Sequence, residues 1–273
     1  MIRPIQNSAD LLEALERVRR AGAGPVTNWF ATPGRIDQWI GRNSLSCLQG
    51  DRALLILRRD RGFHRVYHSA VDLEALSAVL RSFSGLLNAS DVLIADLVGR
   101  PLDLEPVTGI YRESGFSDHN CLVRMTRTAA PEEVAEVEPD VAFAGPADVE
   151  TVAAFLCRLL DPHTDQIPDE DEIREAVARG NLIMVRRDDS VGGLLLFETV
   201  GVTSHLRYWY VDDTARNQGI GARLIRRFFR LTHRSRRWIV WVVGDNSDAI
   251  TKYHHYRFRP DALVDRIMIR RRQ

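Results

Sequence analysis

Apolar residues recur with two different periods along the second half of the chain. Segments with apolar positions three and four residues apart indicate amphipathic helices, and β-branched or alternating runs indicate strands. The helices predicted in this way span residues 147–160, 169–179, 219–233 and 247–255. The predicted strands span residues 181–187, 191–199, 204–211, 238–243 and 262–270. Helices that alternate with strands predict an α/β fold with a mixed central sheet flanked by helices.

The first half of the chain shows a similar order of elements. Its predicted helices span residues 7–20, 33–42 and 72–84. Its predicted strands span residues 52–59, 63–70, 91–97 and 119–127. Residues 128–140 contain Pro, Ala and Glu without apolar periodicity and are therefore predicted to be a linker. We therefore expect two similar domains in tandem, at residues 1–128 and 139–273.

Composition and charge exclude several classes of protein. The 273 residues carry 37 basic and 37 acidic side chains, so the net charge implies no attraction of the whole chain to nucleic acid or to a membrane. No apolar run is long enough to span a bilayer, and the charged N-terminal segment does not look like a signal peptide. The 3 cysteines are scattered without metal-binding or disulfide spacing, which predicts a cytoplasmic protein with no metal site.

The segment LRYWYVDDTARNQGIGA, residues 206–222, has the pattern of an anion-binding turn. A β-rich run ends at Val211, and Gly219 and Gly221 then open a helix rich in Leu, Ile and Phe. The first turn of a helix has unpaired N–H groups and a partial positive charge. Glycines remove the side chains that would keep an anion away from these donors. The segment therefore predicts a cradle for a pyrophosphate group, although a Gly-x-Gly pair also occurs in ordinary tight turns.

A second motif follows this cradle and strengthens the interpretation. It contains Asn246, Ala249, Tyr253 and Phe258 after the strand-like run WIVWVV. Together the two segments resemble the GNAT superfamily of N-acetyltransferases, whose motifs are Arg/Gln-x-x-Gly-x-Gly/Ala and Asn-x-x-Ala-x-x-x-Tyr-x-x-x-Gly-Phe. The chain departs from the second motif at Arg257, where the family usually has glycine.

The resemblance implies that acetyl-CoA, or another acyl-CoA, is the co-substrate. It also implies that backbone groups of the strand before the cradle hold the pantetheine arm and the thioester carbonyl. The cofactor-binding residues expected from the two motifs are Trp209, Tyr210, Val211, Arg216, Asn217, Gln218, Gly219, Ile220, Gly221, Ala222, Asn246 and Tyr253.

The first half also contains a fragment of the second motif. Tyr111, Gly115 and Phe116 resemble its Tyr-x-x-x-Gly-Phe ending. However, the strand that ends near Ala70 is followed directly by Val71, without a glycine pair. We therefore expect a degenerate GNAT-like domain that no longer binds cofactor, the alternative being an unrelated α/β cap.

Acyl transfer from a thioester to an amine requires an acid and a base. Tyr253 matches the family tyrosine near the thioester sulfur, and a phenol of pKa about 10 can protonate the leaving thiolate. Tyr256 is a rival acid, and both tyrosines could instead only pack the helix. His205 is the candidate base because imidazole titrates near neutral pH. Glu198 is its rival, and water is a third base.

Acceptor contacts are expected in the loop DPHTDQIP, at His163 and Asp165. The acidic residues that follow this loop, Asp169 to Glu172, are explained by helix capping or by attraction of a cationic amine. Arginines along the cradle helix are a solvated face or a site for the outer phosphate of CoA or for an acyl carrier protein.

Three functional hypotheses follow. The first is an acyl-CoA-dependent N-acyltransferase, specifically an acetyltransferase, in which a primary amine attacks the thioester directly in a ternary complex. The acceptor would be a small molecule or a peptide, and a homodimer is compatible with this fold. The second is a non-catalytic acyl-CoA sensor or interaction module. The third is an aminoacyl or acyl-carrier-dependent transferase, but no nucleic-acid reader motif supports nucleic-acid binding.

Overall fold

The structure is a computed structural model that describes residues 1–22, 24–84, 92–128, 138–187 and 190–271. The chain divides into two compact units. One consists of Met1–Leu122 and Ala262–Gln273, and the other consists of Val123–Asp261. Most of the predicted linker, residues 129–137, lies outside the described residues.

The first unit is built from four helices and a sheet within the part of the chain that the structure describes. The helices are α1 (Ser8–Arg20), α2 (Pro33–Gly41), α3 (Leu73–Ser84) and α4 (Pro101–Glu113). The strands are β1 (Arg3–Pro4), β2 (Val26–Thr27), β3 (Leu45–Gln49), β4 (Ala53–Asp60), β5 (Phe63–Ala70), β6 (Leu93–Gly99) and the first part of β7 (Ser117–Arg127). Helix α4 and the strands β1, β2 and β3 are additional to the predicted elements.

The sheet of the first unit has the order β1-β3-β4-β5-β6, followed by the last strand of the chain, β13 (Arg259–Arg270). Strand β2 pairs separately with β5. Neighbouring strands are antiparallel except β5 and β6, which are parallel. One core cluster joins the sheet to α3 and α4 and includes Leu76, Leu80 and Tyr111. Another joins the sheet to α1 and α2 and includes Leu11 and Ile36.

The second unit matches the predicted elements closely. Its helices are α5 (Val149–Leu159), α6 (Glu170–Ala178), α7 (Ile220–Leu231) and α8 (Ser247–His255). Its strands are β8 (Ala142–Phe143), β9 (Leu182–Arg187), β10 (Ser190–Val200), β11 (Thr203–Val211) and β12 (Arg237–Val243). They form a sheet of order β8-β9-β10-β11-β12 in which only β11 and β12 are parallel among the described pairs.

Helices cover both faces of the second sheet. Helix α7 is strongly amphipathic and buries Leu224 and Phe228 in a cluster with Trp238 and Tyr253. Helices α5 and α6 bury Val152 and other apolar residues in a separate cluster against the opposite face. The predicted mixed α/β sheet flanked by helices is therefore confirmed.

The position of the last strand differs from the prediction. Residues 262–273 were predicted to belong to the second domain, but the structure groups them with the first unit. The reason is strand pairing, because β13 is antiparallel to β6 from Val264, opposite Gly99, to Arg270, opposite Leu93. The hydropathy of a strand predicts that it joins a sheet but not which sheet it joins.

No helix in the described ranges is long and apolar enough to cross a membrane.

Candidate functional site

A cleft opens in the second unit where two parallel strands separate. Strands β11 and β12 pair from Thr203, opposite Arg237, to Leu206, opposite Val240. Beyond this point β11 continues to pair with β10 but no longer with β12 among the described residues. A β-bulge lies at the same place, because Leu196 faces Tyr208 whereas Phe197 faces Leu206. The bulge leaves Arg207 without a partner in the ladder and bends the strand.

The cleft has a volume of about 530 Å³. Its walls come from the end of β11, from the turn before α7, from the first turn of α7 and from α8. The residues that line it are Trp209, Tyr210, Val211, Ala215, Arg216, Asn217, Gly219, Ile220, Gly221, Ala222, Ala249, Thr251, Lys252, Tyr253, His255 and Tyr256. Ten of the twelve residues predicted to bind cofactor are therefore brought together on one cleft, and they remain a prediction.

The start of α7 has the geometry of an anion cradle. Gly219 is the N-cap residue, with φ +72°, and none of the described side chains caps the helix there. The N–H groups of the first turn are therefore left for another acceptor. A Cβ at Gly221 would lie 3.4 Å from the Trp209 ring, an ordinary contact, and would take up space on this wall that glycine leaves free. The buried indole N–H of Trp209 has no hydrogen-bond partner among the described residues. The cleft thus offers unpaired donors and fits a polar, phosphate-bearing ligand.

Two of the predicted cofactor residues do not line the cleft. The carbonyl of Gln218 accepts a hydrogen bond from the Arg223 guanidinium at 2.7 Å. The side chain of Asn246 accepts from the amide of Ala249 at 3.0 Å and so caps α8. Both residues shape the ends of the two helices that form the cleft.

Tyr253 and Tyr256 both face the cleft, but they differ in burial. Tyr253 is buried, with its ring 5.7 Å from those of Trp209 and Phe258. Burial raises the pKa of Tyr253 well above its usual range. Tyr256 is half-buried, lies 5.6 Å from the Trp209 ring, and has a pKa that is raised by burial. Both phenols therefore stay protonated at neutral pH.

The two candidate bases are neighbours, but neither lines the cleft. His205 on β11 faces Glu198 on β10 in the ladder, and Glu198 also forms an ion pair with Arg207 at 3.9 Å. Burial lowers the pKa of His205, which keeps the imidazole neutral near pH 7.

The bulge also changes the side of the sheet on which His205 lies. Without a bulge, the alternation of side chains along β11 would put His205 on the same side as Trp209. Leu206 packs in the cluster with α7, whereas Tyr208 packs in the cluster with α5 and α6. His205 therefore lies on the side of Tyr208, opposite to Trp209.

The predicted acceptor residues lie in a loop organised by Asp161. Its carboxylate accepts from the amide of His163 at 3.1 Å and from the hydroxyl of Thr164 at 2.6 Å, and its carbonyl accepts from the amide of Asp165 at 2.7 Å. The hydroxyl of Tyr208 donates to the carbonyl of the next residue, Gln166, at 2.7 Å and ties the loop to β11. Asp161 and Tyr208 were not among the predicted site residues.

The charged segments beside the loop and the cradle have mainly structural roles. Asp169 and Glu172 form a capping box at the start of α6, as the capping interpretation expected. On α7, Arg223 pairs with Asp140 and Arg226 pairs with Glu138. These two arginines are therefore held by the protein itself.

Five residues on the cleft wall were not predicted. They are Ala215, Ala249, Thr251, Lys252 and His255. Four of them lie on α8, where only Tyr253 and the N-cap Asn246 were expected to bind cofactor and Ala249 entered only as a motif residue. Ala249 could have been inferred from its position, since it lies one turn before Tyr253 on the same helix face. Thr251, Lys252 and His255 lie one or two residues from Tyr253, and helical spacing does not predict that they border the cleft.

The part of the chain that forms this cleft is similar to a known protein family. Residues 151–256 match the model of the acetyltransferase (GNAT) family. No curated protein sequence matches the chain.

Solved structures share the fold over nearly the whole chain. A GCN5-related N-acetyltransferase from Sphaerobacter thermophilus has a TM-score of 0.59 at 12% identity, covering 99% of this chain and 95% of that chain. A tandem GNAT protein from the clavulanic acid biosynthesis pathway has a TM-score of 0.60 at 14% identity, covering 98% and 97%. A GNAT-family acetyltransferase from Colwellia psychrerythraea has a TM-score of 0.57 at 11% identity, covering 98% of both chains.

At such low identity these structures establish the fold, and the family match covers the elements that build the cleft. Residues 151–256 thus match the GNAT acetyltransferase family, within a chain that shares its fold with a tandem GNAT protein.

Proposed function

We propose that the second unit is an acyl-CoA-dependent N-acyltransferase that transfers an acetyl group to a primary amine by direct attack in a ternary complex. The observation that carries this proposal is the cleft between the separating ends of β11 and β12, which joins the uncapped start of α7 to the buried Tyr253. The GNAT family uses acetyl-CoA as its co-substrate, which makes this the first ligand to test.

The two ends of the cleft suit the two ends of acetyl-CoA. The first-turn amides of α7, from Ile220 onward, would bind the pyrophosphate, because no described side chain caps them and they lie at the positive end of the helix dipole. The edge of β11 at Trp209–Val211 would pair with the amides of the pantetheine arm. Trp209 offers a further donor through its unpaired indole N–H.

Tyr253 would protonate the leaving thiolate. Burial raises the pKa of its phenol, which by itself makes the phenol a weaker acid. However, the same apolar surroundings raise the pKa of a thiol formed beside it, because burial disfavours any anion. The difference between the two pKa values governs the proton transfer, and it changes less than either value.

The amine would enter from the side of the Asp161 loop. His163 and Asp165 are our proposed acceptor contacts, held in place by the hydrogen bonds of Asp161 and Tyr208. A carboxylate here would attract a cationic amine over a distance of about 8 Å. Because His205 and Glu198 do not line the cleft, either base would act through water.

The test is calorimetric titration of acetyl-CoA into the full chain and into three variants. Gly219→Glu and Gly221→Glu place a carboxylate on the cradle, where it would repel the pyrophosphate. Gly201→Glu is the matched control, since Gly201 also has a positive φ, of +58°, and open space around it. It precedes β11 and is therefore at the opposite end of the strand from the cradle.

We expect the wild type and Gly201→Glu to bind acetyl-CoA and the two cradle variants to lose binding. Release of free thiol in the presence of a panel of primary amines would then establish transfer. Binding without thiol release from any amine would favour the sensor hypothesis. Failure of the folded wild-type chain to bind acetyl-CoA would refute the proposal.

A further inference from the structure

Two neighbouring parallel strands, β5 and β6, separate in the first unit as β11 and β12 do in the second. We call the space between the separating ends of such a pair a strand gap. Strand β4 occupies one edge of β5 over its whole length, from Asp60, opposite Phe63, to Ala53, opposite Ala70. The other edge of β5 pairs with β6 only at His64 and Arg65 among the described residues. Residues 66–70 therefore have a second edge that β6 does not cover, just as Trp209–Val211 have an edge that β12 does not cover.

A short segment of the chain fills this gap in the first unit. Val26 and Thr27 form β2 and pair antiparallel with Ala70 and Ser69. Because β4 already occupies the first edge of β5, β2 lies on the edge that faces β6. The hydroxyl of Thr27 also donates to the carbonyl of His68 at 2.7 Å.

Asn28 continues this segment and bridges both walls of the gap. Its side-chain amide donates to the carbonyl of Val66 on β5 at 3.1 Å and to the carbonyl of Asp96 on β6 at 3.0 Å. Its side-chain oxygen accepts from the amide of His68 at 2.6 Å. Asn28 is only 7% exposed. One buried side chain thus satisfies three backbone groups that the separation of the strands would leave unpaired.

The surroundings of the two gaps correspond in detail. In the first unit the ring of His68 lies 5.7 Å from that of Tyr111, and in the second the ring of Trp209 lies 5.7 Å from that of Tyr253. Each of these tyrosines lies on the helix that follows the second strand of its gap. The first gap is filled by peptide, and the second is an open cleft.

We propose that the segment Val26–Asn28 occupies the place that the amide-containing arm of an acyl-CoA would take between β5 and β6. The segment thereby seals the gap of the first unit, which means that no acyl-CoA binds there. The chain therefore binds one acyl-CoA, in the second unit. This inference rests on the proposed function for the identity of the ligand. The seal itself is independent of it, because β2 and the side chains of Thr27 and Asn28 already take the hydrogen bonds that an extended ligand would make.

Hydrogen exchange followed by mass spectrometry tests the seal and the ligand together. In the ligand-free chain we expect peptides covering residues 66–70 to exchange slowly and peptides covering Trp209–Val211 to exchange faster. Acetyl-CoA is expected to protect only the second segment. In Asn28→Ala, exchange at residues 66–70 should rise by about tenfold or more. The reason is that the amide of His68 loses its acceptor, while the carbonyls of Val66 and Asp96 lose their donor. Asn7→Ala, which removes an exposed helix cap in the same unit, should leave this exchange unchanged.

The outcomes separate the two proposals. Rapid exchange of residues 66–70 in the ligand-free wild type would show that the gap is not sealed. Protection of residues 66–70 by acetyl-CoA, or a calorimetric stoichiometry of two, would overturn the inference as well. If acetyl-CoA protects neither segment, the proposed function fails, and the ligand-free exchange still decides whether the first gap is sealed.

Discussion

The turns at Gly115 and Arg257 offer a reciprocal test of backbone strain. Each follows the helix that carries the tyrosine of its gap. In both turns the amide of the phenylalanine that follows donates to the carbonyl of the tyrosine five residues earlier at 3.0 Å. Both residues have positive φ, +85° for Gly115 and +63° for Arg257. The same turn therefore has glycine in one unit, at Gly115, and arginine in the other, at Arg257, where the side chain disfavours the positive φ.

The expected magnitude follows from this conformation. A non-glycine residue in the left-handed region costs about 1–2 kcal/mol, and glycine returns about 0.4–1 kcal/mol through the greater freedom of the unfolded chain. Arg257→Gly should therefore stabilise the second unit by about 0.5–1 kcal/mol. Gly115→Ala should destabilise the first unit by a similar amount. A Cβ at Gly115 would be 3.4 Å from the Arg270 side chain, an ordinary contact, so the cost comes from φ and not from packing.

Hydrogen exchange is the suitable assay, because two units need not unfold in one transition. Exchange of α8 peptides in Arg257→Gly should slow by about two- to fivefold, and exchange of α4 peptides in Gly115→Ala should accelerate by about the same factor. Arg259→Gly is the control, since Arg259 donates to the carbonyls of His254 and Phe258 without lying in the left-handed region. Faster exchange of α8 in Arg257→Gly would refute the strain argument.

Three further predictions concern the cleft and the buried residues. Tyr253→Phe should lower kcat by about 10²–10⁴-fold without changing the Kd for acetyl-CoA, whereas Tyr256→Phe should lower kcat much less. Equal losses of kcat in steady-state assays would contradict the assignment of Tyr253 as the acid. Burial lowers the pKa of His68 to about 3, so the fold favours the neutral imidazole. The stability that His68 contributes is fully present above about pH 6.5 and is lost as pH falls towards 3. Hydrogen exchange of the first unit, measured as a function of pH, should show this loss of stability in the wild type and not in His68→Gln. Gly193→Ala would put a Cβ 2.8 Å from Ile220 at the start of α7. It should cost about 1–3 kcal/mol and weaken acetyl-CoA binding in calorimetry, unless α7 can shift without cost.

The sequence was sufficient to predict the elements that build the cleft. Helix α8 was predicted at residues 247–255 and has these bounds in the structure. The prediction succeeded because Asn246 is a strong N-cap and the apolar positions after it have a clear helical period. The cradle helix was predicted at 219–233 and spans Ile220–Leu231, with Gly219 as its N-cap.

Other features depend on contacts that no local pattern records. Helix α4 was not predicted, because Pro106 lies inside it and proline normally interrupts a helix. The bulge at Arg207 reverses the side on which His205 lies, and it is defined only by the pairing of β11 with β10. The segment at Asn28 is too short to show a period, and its role appears only when β5 and β6 are seen on either side of it.

The two gaps show why the same tyrosine position need not have the same function. In the first unit a ring nitrogen of His68 lies 2.9 Å from the hydroxyl of Tyr111, and both residues are buried. The two side chains therefore form a hydrogen bond with each other. At the corresponding place in the second unit, the buried indole N–H of Trp209 has no partner within the described ranges and faces the cleft with Tyr253. A buried donor without a partner is costly, and a ligand that accepts from it recovers that cost on binding. The unpaired donor beside the tyrosine, more than the tyrosine itself, therefore distinguishes the unit that we propose to bind acyl-CoA from the unit that we propose to be sealed.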